Sequence, residues 1–161
     1  MVNKTLLKKW SARIAVAAVA GGLLVGTSLA TSASATVCYT KGCGGAITNH
    51  STRYFFVTNN WCLTQTTPWY GDHLSCKVNG VLVPQTWSQR DWNSYFLLPT
   101  GDTTLNYDHY YDTDAFRIDG HCTVVVQDSS GSATRIYNSS STPMWHKIRD
   151  FDKLTVTLYT C

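Results

Sequence analysis

Residues 75–83 read SCKVNGVLV, two β-prone runs joined by Asn79-Gly80. Both central residues of a type I′ turn need a positive φ, and Asn-Gly meets that need well. The stretch therefore predicts a β-hairpin in which Ser75–Val78 pairs with Val81–Val83. Pro84 cannot donate a hydrogen bond to a sheet, so it ends the second strand or places it at an edge.

Similar short runs lie on both sides of the hairpin, separated by turn-forming residues. They are rich in Val, Thr and aromatic residues, which favour pleated strands over helices. The predicted strands are 53–58, 94–98, 103–111, 116–118, 121–127, 133–137 and 153–160. With the hairpin they make roughly seven to nine short strands, a pattern typical of an all-β fold, a single antiparallel β-sandwich or barrel-like domain.

The last predicted strand shows the clearest alternation. Leu154, Val156 and Leu158 are separated by Thr155 and Thr157. A period of two places the three aliphatic side chains on one face of a strand. We expect a half-buried strand with these three side chains facing the core.

The first 35 residues have the features of a secretory signal. Four basic residues open the segment, an uncharged apolar stretch spans residues 14–29, and Ala33-Ser34-Ala35 is an A-x-A cleavage site. The apolar stretch is shorter than the roughly 20 residues that a spanning helix needs. The sequence therefore predicts a signal peptide at 1–35 and one β domain at 36–161, secreted to the extracellular space and without a membrane partner after cleavage.

Removing the predicted signal changes the charge of the chain. The sequence has 13 Lys and Arg residues and 10 acidic residues, and four of the basic residues lie in the predicted signal. Nine basic residues therefore remain with ten acidic residues, and the net charge of the mature chain is near −1. Nucleic-acid binding depends on basic residues that neutralise phosphates, so we expect no nucleic-acid partner. All ten acidic residues are Asp, which excludes mechanisms that need a Glu general base.

All six cysteines follow the predicted signal, a usage typical of disulfides in an exported protein. Six cysteines allow fifteen pairings, and sequence alone does not choose among them. Pairing by proximity, the interpretation we favour, gives Cys38–Cys43, Cys62–Cys76 and Cys122–Cys161. No Cys-x-x-Cys occurs, so the spacing does not match zinc modules.

No residue pattern points strongly to catalysis or to a bound cofactor. Asp72-His73, Asp108-His109 and the Asp119/His121 pair could orient a general base, and the last pair would share one face of an extended strand. Polar residues at turns and strand ends explain these pairs equally well. We therefore predict no catalytic residue, no metal site and no cofactor.

Two surfaces are candidates for binding a partner. Tyr107, Tyr110 and Tyr111 lie among Asp108, Asp112, Asp114 and Asp119. This cluster predicts a protein recognition surface, and a calcium site or a carbohydrate site remain alternatives. Of the five tryptophans after the signal, we expect at most two to be available at the surface.

The other candidate is the N-terminus of the predicted mature chain. Val37, Tyr39 and Thr40 are in a β-prone segment, and Gly44-Gly45 follow as a flexible hinge. Such a segment could pair with the sheet edge of a partner. The alternative is that it closes a sheet of its own domain.

The signal, the Cys38/Cys43 pair, Gly44-Gly45 and the strand-rich remainder resemble the adapter subunits of actinomycete umbrella toxin particles. The resemblance implies a small secreted protein that joins a lectin-bearing subunit to a large toxin subunit. Secreted proteinase inhibitors of crystallin-like fold and small lectins share the same general profile.

We therefore expect a secreted, non-enzymatic interaction module, an adapter in an extracellular antibacterial toxin assembly. Its partners would be other secreted proteins. A carbohydrate-binding or proteinase-inhibiting β domain is one alternative, and a small His/Asp hydrolase toxin is another.

Overall fold

The chain forms twelve strands and two one-turn 3₁₀ helices within residues 40–62 and 67–161, the part that a computed structural model describes. The 3₁₀ helices are Thr104–Asn106 and Asp108–Tyr110. The strands are β1 Ala46–Asn49, β2 Phe55–Thr58, β3 Trp69–Tyr70, β4 Ser75–Val78, β5 Val81–Pro84, β6 Thr86–Trp87, β7 Ser94–Leu98, β8 Ala115–Ile118, β9 Thr123–Gln127, β10 Ala133–Tyr137, β11 Met144–Lys147 and β12 Lys153–Thr160. The all-β prediction is confirmed, and its finer form, a sandwich or barrel, stays a prediction. The predicted signal at 1–35 lies outside the described residues.

Two sheets and a separate hairpin contain these strands. Sheet 1 has the order β1-β12-β9-β10, and sheet 2 has the order β3-β11-β8-β2-β7-β6. The β1–β12 and β6–β7 pairs are parallel, and the other pairs are antiparallel. Four strands, β1, β3, β6 and β11, lie outside the predicted strands.

The core joins side chains from both sheets. Ile47, Val124 and Val156 of sheet 1 pack in one cluster with Phe55 and Phe116 of sheet 2. Burial of such side chains contributes roughly 1.5–3 kcal/mol each. A smaller cluster, next to the hairpin, contains Trp61, Leu74, Ala115 and Trp145.

Strand β12 forms at the predicted bounds, but its alternation changes partway along. Its register against β9 shifts between Val156 and Leu158. Val156 is buried, whereas Leu158 is 44% exposed and Tyr159 faces the core instead. The prediction that Leu158 faces inward is wrong, because an extra residue at a bulge moves every later side chain to the opposite face.

Residues 103–111 were predicted as a strand and form the two 3₁₀ helices instead. The Thr103 hydroxyl accepts a hydrogen bond from the backbone N–H of Leu105. The side chains of Asn106 and Tyr107 both donate to Asp102, at 2.6 and 2.7 Å. These local bonds give the backbone an alternative to strand pairing, as is usual for Thr, Asn and Asp.

Two predicted disulfides are confirmed, Cys62–Cys76 and Cys122–Cys161. Cys43 is also disulfide-bonded. Cys38 lies outside the described residues, so the Cys38–Cys43 pair stays a prediction. The confirmed bridges tie β4 to the segment after β2, and the end of β12 to the start of β9.

The hairpin of β4 and β5 forms as predicted. Asn79 and Gly80 have φ values of 50° and 85°, the positive pair that a type I′ turn requires. Ser75 pairs with Pro84, where β5 ends, and Val78 pairs with Val81 next to the turn. The hairpin thus follows directly from its own sequence.

Candidate functional site

The β4–β5 hairpin extends from the molecule without a packing surface of its own. Within residues 40–62 and 67–161, no other strand pairs with β4 or β5. Every residue from Lys77 to Pro84 is exposed. Isolated two-stranded hairpins are only marginally stable in water, so an anchor at the base must hold this one.

The exposed part of the hairpin is largely apolar. We call Val78, Val81, Leu82 and Val83 the apolar hairpin; Val81 and Leu82 are 64% and 65% exposed. The register places Val78 opposite Val81, so Val78, Val81 and Val83 share one face and Leu82 lies on the other. Single exposed apolar residues are ordinary, but a contiguous group marks an interaction surface.

A network of buried polar groups holds the base of the hairpin. Gln85, which is 4% exposed, follows β5 directly, and its backbone N–H donates to Leu74 at 2.9 Å. Its side chain accepts from the Thr58 hydroxyl at 2.7 Å and donates to the Asn60 carbonyl at 2.6 Å. Together with the Cys62–Cys76 bridge, these bonds attach the hairpin to sheet 2 and leave its tip extended.

A polar cleft lies farther along the chain, past Trp87. Its volume is about 490 Å³. One wall belongs to the loop after β6, and the other to the two 3₁₀ helices. The lining residues are Gln89, Arg90, Asn106, Tyr107, Asp108 and His109. The cleft therefore combines amide, guanidinium, carboxylate and imidazole groups.

Two buried side chains connect the walls of this cleft. Asn59, only 7% exposed, donates to the carbonyls of Asp91 at 2.7 Å and His109 at 3.0 Å. The buried hydroxyl of Tyr110 donates to the Ser88 carbonyl at 2.8 Å. Burial raises the pKa of Tyr110, so the hydroxyl stays protonated and remains a donor.

The three predicted binding tyrosines have different environments. Tyr107 is half-buried and lines the cleft; burial, and then its bond to Asp102, raises its pKa to about 12. Tyr111 is half-buried, and its hydroxyl donates to Asp108 at 2.8 Å. Tyr110 is fully buried. The prediction that Tyr110 forms part of a recognition surface is wrong, because its ring fills the core against Phe96.

The predicted N-terminal binding segment is described only in part. Val37 and Tyr39 lie outside the described residues, so the pairing of this segment with a partner stays a prediction. Thr40 is exposed, and its carbonyl accepts from the backbone N–H of Cys43 at 3.3 Å. For the strand at 36–40, both alternatives therefore stay predictions.

Gly44 and Gly45 are buried, so the prediction of a flexible hinge is wrong. A Cβ at Gly44 would overlap the Asp112 carboxylate, and a Cβ at Gly45 would contact the backbone of Thr113. Gly45 N–H donates to Asp112 at 3.1 Å, and Lys153 donates to the Gly44 carbonyl. These glycines allow close packing at the start of β1, and their burial removes them from any partner surface.

The acidic residues between 108 and 119 do not form one site. Asp108 borders the cleft, and Asp119 accepts from Arg117 at 3.0 Å. Asp112 and Asp114 instead meet Asp150, with carboxylate oxygens within 4.8 Å of one another. Three carboxylates so close can share a hard cation.

Hydrogen bonds give the two buried carboxylates of this group a structural role. Asp112 accepts from Gly45, and Asp114 accepts from the backbone N–H of Trp61 at 2.9 Å. Burial raises the pKa of Asp112. Burial, and then the charge of Asp112, raises the pKa of Asp114 to about 7. The group therefore attaches β1 and the segment around Trp61 to the β8 region.

The predicted arrangement of Asp119 and His121 on one strand face is wrong. Strand β8 ends at Ile118, and His121 has a φ of 57°, a turn conformation. His109, beside the cleft, contacts the Trp92 ring at 4.7 Å between centroids. His146 is half-buried, and burial lowers its pKa.

The tryptophans follow the expected division. Trp61 and Trp145 are buried in the smaller core cluster, and Trp69 packs against it. Trp87 and Trp92 are exposed. The prediction that at most two tryptophans are available at the surface is confirmed. Trp87 precedes the cleft residues in sequence, and Trp92 follows Gln89 and Arg90.

No family model, curated protein or solved structure matches this chain. The helices of the described ranges are single 3₁₀ turns, and none is long or apolar enough to cross a bilayer.

Proposed function

We propose that this protein is a secreted, non-enzymatic interaction module that binds a protein partner through the apolar hairpin. The observation that carries the proposal is the exposure of Val78, Val81, Leu82 and Val83 on a hairpin held at its base by a disulfide. A rigid base limits the conformational entropy lost on binding, and this favours affinity.

The size of the apolar group suits a recognition site. Transfer of a Val or Leu side chain from water to an apolar contact contributes roughly 1.5–3 kcal/mol. Val81 and Leu82 keep most of their surface accessible, so both can gain this contribution on binding. The partner that fits is a protein with an apolar groove wide enough for a two-stranded β ribbon.

The proposal includes the role of an adapter in an extracellular antibacterial toxin assembly. The resemblance to umbrella particle adapters supports this role, with a lectin-bearing subunit and a large toxin subunit as the partners. The hairpin supplies one contact of such an adapter. The second contact is the predicted N-terminal segment, which includes Val37, Tyr39 and Thr40.

Affinity recovery from culture supernatant tests the proposal. The tagged wild-type protein should recover large secreted partners in stoichiometric amounts. The double variant Val81→Thr/Leu82→Thr places β-branched Thr at both positions of β5, and Thr favours strands. Loss of about 2 kcal/mol of apolar contact should weaken the partner's Kd roughly 30-fold.

A matched control tests whether the effect is specific to the hairpin or follows from the loss of any exposed apolar side chain. Leu158→Thr replaces an exposed strand leucine in sheet 1 and should leave recovery unchanged. Recovery of a clean wild-type monomer would refute the adapter role. Undiminished recovery of the partner by the double variant would refute the hairpin as the contact. Recovery of a single proteinase that the protein inhibits would refute the adapter role and indicate a proteinase inhibitor.

A further inference from the structure

We infer that the polar cleft between the loop after β6 and the two 3₁₀ helices binds a neutral saccharide. This site is separate from the apolar hairpin and does not depend on the proposed partner contact. At about 490 Å³, it lies within the roughly 300–1,000 Å³ range typical of small-ligand sites.

The cleft is preformed. Asn59 donates to carbonyls in both walls, and its own carbonyl accepts from the backbone N–H of Ser94 at 2.8 Å. Tyr110 adds a second connection through the Ser88 carbonyl. Because both connecting side chains are buried, the spacing of the walls is fixed before a ligand arrives, which lowers the entropic cost of binding.

The lining presents donors and acceptors that have no partner within the described chain. The side chains of Gln89, Arg90 and His109 make no hydrogen bond in residues 40–62 and 67–161. Asn106 uses its amide nitrogen on Asp102, and Asp108 uses one carboxylate oxygen on Tyr111. The Asn106 side-chain carbonyl and the second Asp108 oxygen make no hydrogen bond within the described residues, so both can accept one from a ligand.

This mixture selects the ligand class. Each sugar hydroxyl donates one hydrogen bond and accepts two, so it matches a lining with both kinds of group. An anion would use Arg90 but would be repelled by the Asp108 carboxylate. An apolar ligand would leave these polar groups desolvated and unpaired.

An aromatic ring borders this polar lining. Trp92 is 39% exposed and its ring contacts His109, which lines the cleft. Aromatic rings suit the C–H face of a pyranose, while its hydroxyls bond to polar groups. A polar lining with an aromatic neighbour therefore fits the two kinds of surface on a saccharide ring.

A glycan array of neutral and acidic oligosaccharides, probed with the purified protein, tests the inference. The neutral glycan retained best is then titrated by calorimetry. Gln89→Ala/Arg90→Ala changes two exposed loop side chains, and we expect at least a tenfold weaker Kd with an unchanged melting temperature. Arg135→Ala, an exposed arginine on β10 outside the cleft lining, should bind like the wild type.

Three results would overturn the inference. The array could retain no glycan, or the double variant could bind as tightly as the wild type. Binding confined to sulfated or uronic-acid glycans would identify an anion site instead of a neutral saccharide site.

Discussion

Replacing Asp114 by Asn should stabilise this protein at and above neutral pH and reduce the pH dependence of its stability. The Asp114 side chain is buried and accepts a hydrogen bond from Trp61 N–H. Burial, and then the neighbouring charge of Asp112, raises its pKa from 3.8 to about 7. Asn has the same shape and a carbonyl that can accept the same bond, but it has no charge to bury.

The direction of the effect follows from the bound proton. Between the unfolded pKa near 4 and the folded pKa near 7, the folded chain holds a proton that the unfolded chain has released. The stability that Asp114 contributes is therefore fully present below about pH 4 and is lost as the pH rises through 7. About three pKa units at ~1.36 kcal/mol each give a total loss of about 4 kcal/mol. Asp112, whose pKa burial also raises, acts in the same direction. His146, whose pKa burial lowers, acts in the opposite direction, because its folded form releases a proton that the unfolded chain still holds.

Urea unfolding at about pH 5 and pH 8 measures this difference. The contribution of Asp114 to the free energy of unfolding should fall by about 3 kcal/mol between the two, the part of its loss that lies in this interval. Asp114→Asn has no carboxyl to ionise at this position, so its free energy of unfolding should not show this fall. The variant should therefore be more stable than the wild type at pH 8. The control Asp72→Asn, at an exposed carboxylate, should follow the wild type. The reasoning would be refuted if the difference in free energy of unfolding between the wild type and Asp114→Asn were the same at both pH values, or if Asp114→Asn were no more stable than the wild type at pH 8.

Two further predictions concern packing and cross-linking. Gly44→Ala places a Cβ in the Asp112 carboxylate, whereas a Cβ at Gly42 meets nothing within 4 Å. Overpacking should therefore lower the free energy of unfolding by about 2–3 kcal/mol for Gly44→Ala. Gly42→Ala should lower it by roughly 1 kcal/mol, because only the backbone strain at its φ of +88° acts there. Equal melting temperatures of the two variants would support a flexible hinge at Gly44. Replacing Cys122 by Ala and Cys161 by Ser opens a loop with a sequence separation of 39 and should cost about 4 kcal/mol in the chain-entropy model, measured by urea unfolding. A loss under about 1 kcal/mol would show that β12 pairing alone holds the C-terminus.

Features that depend on neighbouring residues were predictable from the sequence. Asn79-Gly80 specifies its turn through the φ preferences of two residues, and the hairpin formed at the predicted position. Pairing by proximity identified Cys62–Cys76 and Cys122–Cys161.

Features that depend on distant packing were predicted wrongly or not at all. Gly44 reads as a hinge in sequence, but Asp112, far along the chain, packs against it. Leu158 was expected in the core because nothing local to β12 signals the bulge before it.

The candidate binding sites also contain some residues that the sequence predicts and others that only the fold brings together. The sequence predicts Tyr107 and Asp108 as part of a binding surface, and both line the cleft, but Gln89 and Arg90, in its opposite wall, carry no sequence signal. The apolar hairpin had one signal: Val81, Leu82 and Val83 are consecutive, so neither face of that strand is polar.

The sequence by itself determined the all-β class and the turn of the hairpin, because φ preferences and side-chain periodicity act over a few residues. It allowed fifteen sets of disulfide pairs, and proximity along the chain suggested the two pairs that the structure confirms. Only the tertiary structure decided that the apolar hairpin packs against neither sheet, that Asp150 joins Asp112 and Asp114, and that two loops enclose a polar cleft. Each of these features depends on which distant segments of the chain come into contact. Those contacts decide which side chains are buried, and burial in turn raises the pKa of Asp114.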